Sequence, residues 1–304
     1  RIVTNRYLCS DFKMATFKER RYSAQDGKSL YYRDYGDSLA ERTAILCLPG
    51  LSRNSHDFHD LACHLAKTRR VVCPDYRGRG LSDYDDNPAN YHPKALLGDI
   101  RHLLVACGIH HFVAIGTSMG GLLATAFGAM APSALRGVIL NDIGPKVGNA
   151  GLGKIVSYIG QDNPQDNWQD AIATLREMLP GLNFQTDEEW CSAAEGTFRE
   201  GEDGKLHIDW DPRIVEPMRQ RASNEELWQL FRSLKMLPVL GFRGELSEIL
   251  SAKTFERMAA TLPEFLAVTI AGVGHTPSLN EPEARVAIDA FLERTLADVN
   301  RSDS

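Results

Sequence analysis

The sequence lacks three features that would assign it quickly: clustered cysteines, a long apolar run and an excess of basic residues. Its six cysteines are scattered over 304 residues without a Cys-x-x-Cys pair, which excludes a dense disulfide framework and predicts reduced thiols, as in a cytoplasmic protein. The longest apolar runs, such as residues 43–48, fall far short of the ~20 residues of a membrane helix. We therefore expect no membrane span. Lys and Arg (34) are outnumbered by Asp and Glu (40), giving a net charge of −6, so no nucleic-acid partner is expected either.

The composition that remains is that of a globular protein. Hydrophobic residues make up 43% of the chain, and the length allows two domains or one large α/β domain with an insertion. Residues 1–16 contain neither an initiator Met at the start nor the apolar centre of a signal peptide. We interpret them as a leader or a cloning remnant.

Short apolar runs predict an α/β fold with a mostly parallel sheet. Residues 17–22 and 30–35 alternate around Asp26-Gly27, which is a hairpin signal. The later runs are usually followed by a helix-like pattern, as in βαβ units with helices on both faces of the sheet. These runs are residues 43–48, 70–73, 112–115, 137–140, 237–242 and 266–270, and a last amphipathic helix begins at Pro282.

The strand alternation stops between residues 144 and 234, which predicts an inserted, mostly helical subdomain. All four tryptophans fall in this segment, and residues 161–211 hold thirteen Asp and Glu against three Lys and Arg. The predicted core is therefore residues 17–143 and 235–299, with residues 144–234 as the insertion. The net charge of −10 in residues 161–211 favours a neutral or cationic substrate.

The strongest chemical signal is Gly116-Thr117-Ser118-Met119-Gly120, between a predicted strand and a helix-like segment. A Gly-x-Ser-x-Gly in this context predicts a nucleophile elbow, a sharp turn that exposes the serine hydroxyl at the carboxyl end of the sheet. An aspartate nucleophile is disfavoured, because Ser118 occupies the elbow.

A serine nucleophile requires a histidine base and an acid that orients the imidazole. His275 lies between glycines and Pro277 on a loop after the last predicted strand. The acid is expected after the penultimate strand, where Glu245 and Glu248 compete, while Asp142 follows the neighbouring strand. Spacing alone leaves these three carboxylates open.

An oxyanion hole needs two backbone amides. Met119 follows the nucleophile, and Leu51 follows Pro49-Gly50 after the strand at residues 43–48. No cluster of side chains has zinc-site spacing, and the glycines near Gly116 lack the dinucleotide-binding pattern. Neither a metal nor a cofactor is expected.

Taken together, these motifs resemble the α/β-hydrolase fold superfamily, in its lid-bearing esterase, enol-lactonase and C–C hydrolase branch. The resemblance covers residues 17–296 and is carried by residues 48–51, 75–82, 116–120, 243–248 and 274–275. It implies an eight-stranded, mostly parallel sheet with an inserted helical lid, and it makes the loop at 75–82 a structural brace.

The resemblance also implies roles for the candidate residues. Ser118 becomes the nucleophile, His275 the general base and acid, and Leu51 and Met119 the oxyanion donors. The family's Gly-x-x-Ser-Asp pattern places the acid at Glu248, where this chain has Glu instead of the usual Asp. That departure keeps Asp142 and Glu245 as alternatives.

We therefore predict a serine hydrolase that cleaves a carboxylic ester or lactone of a small, largely apolar molecule. The leucines of the insertion and one or two of its four tryptophans are expected to line its pocket, and the other tryptophans are expected to pack inside the insertion. The alternatives are a C–C bond hydrolase acting on a ring-fission diketone and a hydrolase-fold ligand receptor with little turnover.

Overall fold

The computed structural model describes residues 17–38, 42–148, 153, 156–179, 181–182, 184–219 and 222–297. Within them, eight strands form one sheet in the order β1-β2-β4-β3-β5-β6-β9-β10. The strands are Phe17–Ser23 (β1), Ser29–Tyr35 (β2), Ala44–Leu48 (β3), Val71–Pro74 (β4), Phe112–Thr117 (β5), Leu135–Asn141 (β6), Val239–Gly244 (β9) and Phe265–Ile270 (β10). Residues 1–16, the expected leader or remnant, lie outside the described residues.

The sheet is antiparallel at one edge and parallel through its centre. β1 and β2 form the predicted hairpin, β2 pairs antiparallel with β4, and the pairs from β4 to β10 are parallel. The carboxyl ends of β3, β5, β6, β9 and β10 therefore meet at one edge. This is the edge at which the candidate catalytic residues were expected.

Helices cover both faces of the sheet because its central strands are apolar on both sides. Adjacent residues Ile45 and Leu46 are both fully buried, yet they belong to different hydrophobic clusters, one on each face. The helices are His59–Leu65 (α1), Pro93–Ala106 (α2), Met119–Met130 (α3), Trp168–Met178 (α4), Asp187–Glu195 (α5), Asn224–Arg232 (α6), Ala252–Thr261 (α7) and Pro282–Ala297 (α8). Residues of α1 and α8 pack on one face, and residues of α2, α3 and α7 pack on the other.

The segment between β6 and β9, residues 144–234, is called the insertion below. It contains α4, α5 and α6, as its pattern predicts, together with a hairpin that the sequence analysis did not anticipate. The hairpin strands are Phe198–Glu200 (β7) and Leu206–Ile208 (β8), joined by a turn in which Gly201 N–H donates to the Lys205 carbonyl. Strands of three residues are too short to produce a visible alternation.

Among the described residues, the cysteines Cys47, Cys63, Cys73 and Cys107 are free thiols. Across the described part of the chain, no helix is both long and apolar enough to cross a membrane.

Candidate active site

The turn between β5 and α3 places Ser118 at the carboxyl edge of the sheet. Ser118 has φ 50° and ψ −116°, a conformation that residues with a Cβ rarely adopt. The flanking glycines permit the close packing around it. A Cβ at Gly116 would overlap the backbone of Gly120, and a Cβ at Gly120 would overlap the carbonyl oxygen of Leu48. The local geometry is that of the predicted elbow.

Side chains from three loops form one hydrogen-bonded chain that begins at Ser118. His275 lies between β10 and α8, and its Nε2 is 3.0 Å from Ser118 Oγ. The other ring nitrogen, Nδ1, is 2.6 Å from Asp142 Oδ2. When Nδ1 carries the proton and donates to the carboxylate, Nε2 is the acceptor for the serine hydroxyl. The His275 side chain is 16% exposed and that of Asp142 is fully buried, so only the serine end faces an incoming molecule.

Asp142 is held by neighbouring groups as well as by His275. It begins the loop after β6 with a positive φ of 51°, and its backbone N–H donates to the Phe242 carbonyl of β9. Its Oδ1 accepts from Gly244 N–H at 3.0 Å, and its Oδ2 accepts from Ser247 Oγ–H at 2.6 Å. Hydrogen bonds to the charged form of a buried carboxylate offset the cost of burying its charge.

The structure corrects the first-choice prediction for the acid. Glu248 is exposed and lies at the cavity edge, whereas the imidazole nitrogens of His275 are bonded to Asp142 and Ser118. Glu245, also exposed, accepts from Gly272 N–H at 2.8 Å. The loop expected to supply the acid instead supplies Gly244 N–H and Ser247 O–H, which bind Asp142. His275 is thus paired with Asp142, the third of the three carboxylates that sequence spacing left open.

The two expected oxyanion donors belong to segments that adjoin Ser118. Met119 is the first residue of α3, and the first amides of a helix have no partner within it. Leu51 lines the same cavity as Ser118. Its loop is fixed from beneath, because Arg79 Nε donates to the Leu51 carbonyl at 2.7 Å and Tyr76 donates to the Pro49 carbonyl at 3.3 Å.

Residues 75–82 form the brace that the resemblance implies. Arg77 bonds the carboxylates of Asp26, Asp85 and Asp99. Arg79 is fully buried and bonds backbone carbonyls instead. Burial without a bonded carboxylate lowers the pKa of Arg79 to about 10, which still leaves it charged at neutral pH.

A cavity of about 480 Å³ lies over Ser118, between the core and the insertion. Its floor contains Ser118, His275 and Leu51. The insertion contributes a mostly apolar part of the lining, called its apolar wall below: Tyr158, Ile159, Leu175, Met178, Leu179, Leu182 and Phe184. Such a mixture suits a small molecule with an apolar body and one reacting polar bond.

The expectation that one or two tryptophans line the pocket is wrong, although the expectation for leucines is confirmed. Among the described lining residues there is no tryptophan. Trp210 is 2% exposed and donates its indole N–H to the Ile159 carbonyl at 2.9 Å, and Trp228 is 4% exposed and packs against Phe231. The tryptophans stabilise the insertion and its contact with the core.

The lining also includes Arg53, His56 and His59, to which the sequence analysis assigned no role. Burial lowers the pKa of His56 to about 3 and also lowers that of His59, so both are neutral at physiological pH. A signal was available, because these residues directly follow the Pro49-Gly50 turn already assigned to the oxyanion loop.

Among the residues the structure describes, no group of three or more His, Cys, Asp or Glu side chains could hold a metal ion.

Comparison with known proteins supports what the geometry indicates. A sequence model of the alpha/beta hydrolase family matches residues 45–290. The chain belongs to this family. The match spans the insertion, with Ser118 before it and His275 after it. Both parts of the chain therefore belong to one core.

Individual members of the alpha/beta hydrolase family align over most of this chain. A curated 3-hydroxybutyrate-oligomer hydrolase from Cupriavidus necator is 29% identical over 266 residues, which is 84% of this chain and 90% of that protein. A crystal structure of an alpha/beta hydrolase from Novosphingobium aromaticivorans is 40% identical, with a TM-score of 0.86 over 92% of this chain and 99% of that one. The 2-(acetamidomethylene)succinate hydrolase of Mesorhizobium japonicum is 24% identical over 82% of this chain and 87% of that protein. Family membership and these relatives support hydrolysis as the class of reaction.

Proposed function

We propose that the protein is a serine hydrolase that cleaves a carboxylic ester or lactone of a small, largely apolar molecule. The observation that carries this proposal is the hydrogen-bonded chain from Ser118 Oγ through His275 to Asp142 at the floor of the cavity. A serine hydroxyl is a weak nucleophile until a base takes its proton, and this chain provides that base.

In the proposed reaction, Ser118 Oγ attacks the ester carbonyl while His275 Nε2 takes the hydroxyl proton. The buried carboxylate of Asp142 stabilises the imidazolium that forms. The backbone amides of Leu51 and Met119 stabilise the negative charge on the carbonyl oxygen. His275 then protonates the leaving alkoxide, and a water activated by the same nitrogen releases the acid.

The insertion supports an ester with short apolar chains as the substrate. Its apolar residues line the same cavity as Ser118, and in the proposed function it acts as a lid over the bound ester. The similarity to a 3-hydroxybutyrate-oligomer hydrolase over 84% of this chain favours, among such substrates, an ester bond between short hydroxyacid units.

The test is a substrate panel with the wild-type protein and two serine variants. The panel contains 4-nitrophenyl esters of graded chain length, lactones, the linear dimer of 3-hydroxybutyrate and a ring-fission diketone. We expect ester turnover in the wild type and a loss of at least ~10³-fold in Ser118→Ala, because the variant has no nucleophile. Ser23→Ala, at an exposed edge of the sheet, is the control and should retain wild-type turnover.

The other outcomes separate the alternatives. Turnover of the diketone but not of esters would replace the proposal with C–C bond hydrolysis. Binding of ligands without turnover, together with no labelling of Ser118 by a fluorophosphonate, would indicate a receptor. Undiminished ester hydrolysis in Ser118→Ala would refute the serine mechanism.

A further inference from the structure

Arg53 lines the cavity, and its side chain begins close to the nucleophile. A Cβ built on Gly50 would lie 3.4 Å from Arg53 Cγ and 4.0 Å from Ser118 Cβ, so the two side chains flank the same glycine. The guanidinium continues toward the insertion, where Nη1 is 2.5 Å from Thr197 Oγ1. The Arg53 side chain is 20% exposed, and the residue lines the cavity together with Ser118 and His275.

The guanidinium retains hydrogen-bonding capacity after its contacts within the protein are counted. Nε and Nη2 donate to the two oxygens of Asp57 at 2.8 and 2.6 Å, and Nη1 donates to Thr197. Arginine has five N–H donors. One donor on each terminal nitrogen therefore has no protein acceptor among the described residues. Asp57 binds one edge of the guanidinium and fixes its plane without using these two donors.

The other charged side chains that line the cavity are carboxylates. Arg53 is the only lysine or arginine among the described lining residues. Of the carboxylates that line the cavity, Asp57 is paired with Arg53. The other three, Asp60, Glu189 and Glu248, belong to exposed residues, where water screens their charge. The acidic character of the insertion, which favoured a neutral or cationic substrate, thus lies largely at the surface and not around Ser118.

We propose that Arg53 binds a carboxylate of the substrate, so that the enzyme prefers esters that carry an anionic carboxylate a few atoms from the scissile carbonyl. The inference rests on the proposed ester hydrolysis and narrows its substrate to carboxylate-bearing esters, such as short hydroxyacid oligoesters. An arginine held in place by another carboxylate is well suited to this role, because its planar fork is already oriented when the substrate arrives. The apolar wall of the insertion contacts the carbon chain between the two polar ends.

The experiment compares each acid with its primary amide, which has the same shape and no charge. One pair is the linear 3-hydroxybutyrate dimer and its amide, with the carboxylate on the alcohol part. The other is mono-4-nitrophenyl glutarate and its amide, with the carboxylate on the acyl part. The readout is the ratio of kcat/KM for acid over amide, which cancels general losses of activity. We expect a ratio of about 10 or more for at least one pair in the wild type, since a hydrogen bond to a charged group contributes a factor of about 10 to 100.

Three variants test whether Arg53 causes the preference for the acid over the amide. Arg53→Gln should lower the acid-over-amide ratio about 10- to 100-fold. Thr197→Val removes the contact between Arg53 and the insertion but keeps the charge, so it should leave the ratio unchanged even where turnover falls. Asp57→Asn removes the charge that partly neutralises the guanidinium but keeps an oxygen acceptor that orients it, so it should raise the ratio. This variant tests the role of Arg53 even if Arg53→Gln does not fold.

A failure of this inference can be distinguished from a failure of the proposed function. The role of Arg53 would be overturned if the wild type cleaved the ester bond equally well in the acid and amide forms of both pairs. An unchanged ratio in Arg53→Gln would also overturn it. Either result would leave ester hydrolysis standing. A wild type that cleaves no ester would overturn the proposed function and this inference with it.

Discussion

At the scale of single residues, the missing Cβ of Gly120 determines how closely the elbow approaches the oxyanion loop. A Cβ there would overlap the Leu48 carbonyl oxygen and lie 2.7 Å from the Pro49 carbonyl oxygen. Both atoms are backbone, so the loop that carries Leu51 would have to move. We expect Gly120→Ala to lower the free energy of unfolding by ~1–3 kcal/mol, as overpacking does, and to lower kcat more than it raises KM.

Gly98 provides the control for this prediction. It lies inside α2, and a Cβ built there would have no neighbour within 4 Å. Gly98→Ala should raise the free energy of unfolding by ~0.5–1 kcal/mol, because alanine has less backbone freedom to lose in a helix. Chemical denaturation and ester kinetics measure both effects. A Gly120→Ala variant with wild-type stability and kcat would contradict the account of the elbow.

At the site, some residues could be predicted from the sequence and others could not. Ser118 and His275 could be identified because each stands in a local glycine-containing motif after a strand. Arg53 was not identified, because its position after the Pro49-Gly50 turn places it near the catalytic edge but does not show whether its side chain enters the cavity. Its position follows from packing against residue 197, which is 144 positions away.

At the scale of elements, the core was predictable because its strands are continuous apolar runs. The run at residues 112–115 became β5, Phe112–Thr117, and the run at 266–270 became β10, Phe265–Ile270. Burial on both faces makes such runs conspicuous. The hairpin of the insertion has no comparable run, and the tryptophans, one or two of which pattern alone assigned to the pocket, serve its packing instead.

The acid shows why adjacent elements limit prediction from sequence. β6 and β9 are paired in parallel, with Asn141 opposite Phe242, so the loops after both strands reach the same histidine. Asp142 and Glu248 were therefore both plausible. The choice depends on the backbone bond from Asp142 N–H to Phe242 and on the donors at Gly244 and Ser247. These contacts arise only from the strand register, which sequence spacing does not encode.

At the scale of the whole molecule, buried polar contacts join the insertion to the core. Asn54 Nδ2 donates to the Gly196 carbonyl and to Asp209 Oδ2, each at 3.1 Å. Gly80 N–H donates to the Asp209 carbonyl at 2.9 Å. Tyr91 donates its hydroxyl proton to Asp211 at 2.7 Å. The loops that brace the catalytic edge of the sheet thus also hold the insertion over the cavity.

This junction predicts a dependence of stability on pH. Burial, reinforced by the negative charge of Asp75, raises the pKa of Asp209 from 3.8 to about 7, against the opposing effect of Arg199 and Arg53. The folded protein therefore binds more protons than the unfolded chain between these two values, and the free energy of unfolding falls as pH rises through that window.

Asp209→Asn removes this titration while it keeps an acceptor for Asn54. The free energy of unfolding of the variant, relative to wild type, should increase from pH 4 to pH 8 by a few kcal/mol, at ~1.4 kcal/mol for each unit of pKa shift. Denaturant unfolding of both proteins at several pH values measures the difference. Parallel pH profiles for the two proteins would contradict the buried, proton-binding Asp209.

The most direct test of the proposed catalytic site compares turnover of one ester by Asp142→Asn and Glu248→Gln, with circular dichroism to show that both variants are folded. Both substitutions remove a carboxylate charge and keep the size of the side chain. Because Asp142 orients and stabilises the His275 imidazole, Asp142→Asn should lower kcat by about 10³- to 10⁴-fold, whereas Glu248→Gln should stay within about threefold of wild type. A collapse of kcat in Glu248→Gln with near-normal turnover in Asp142→Asn would contradict the site described here.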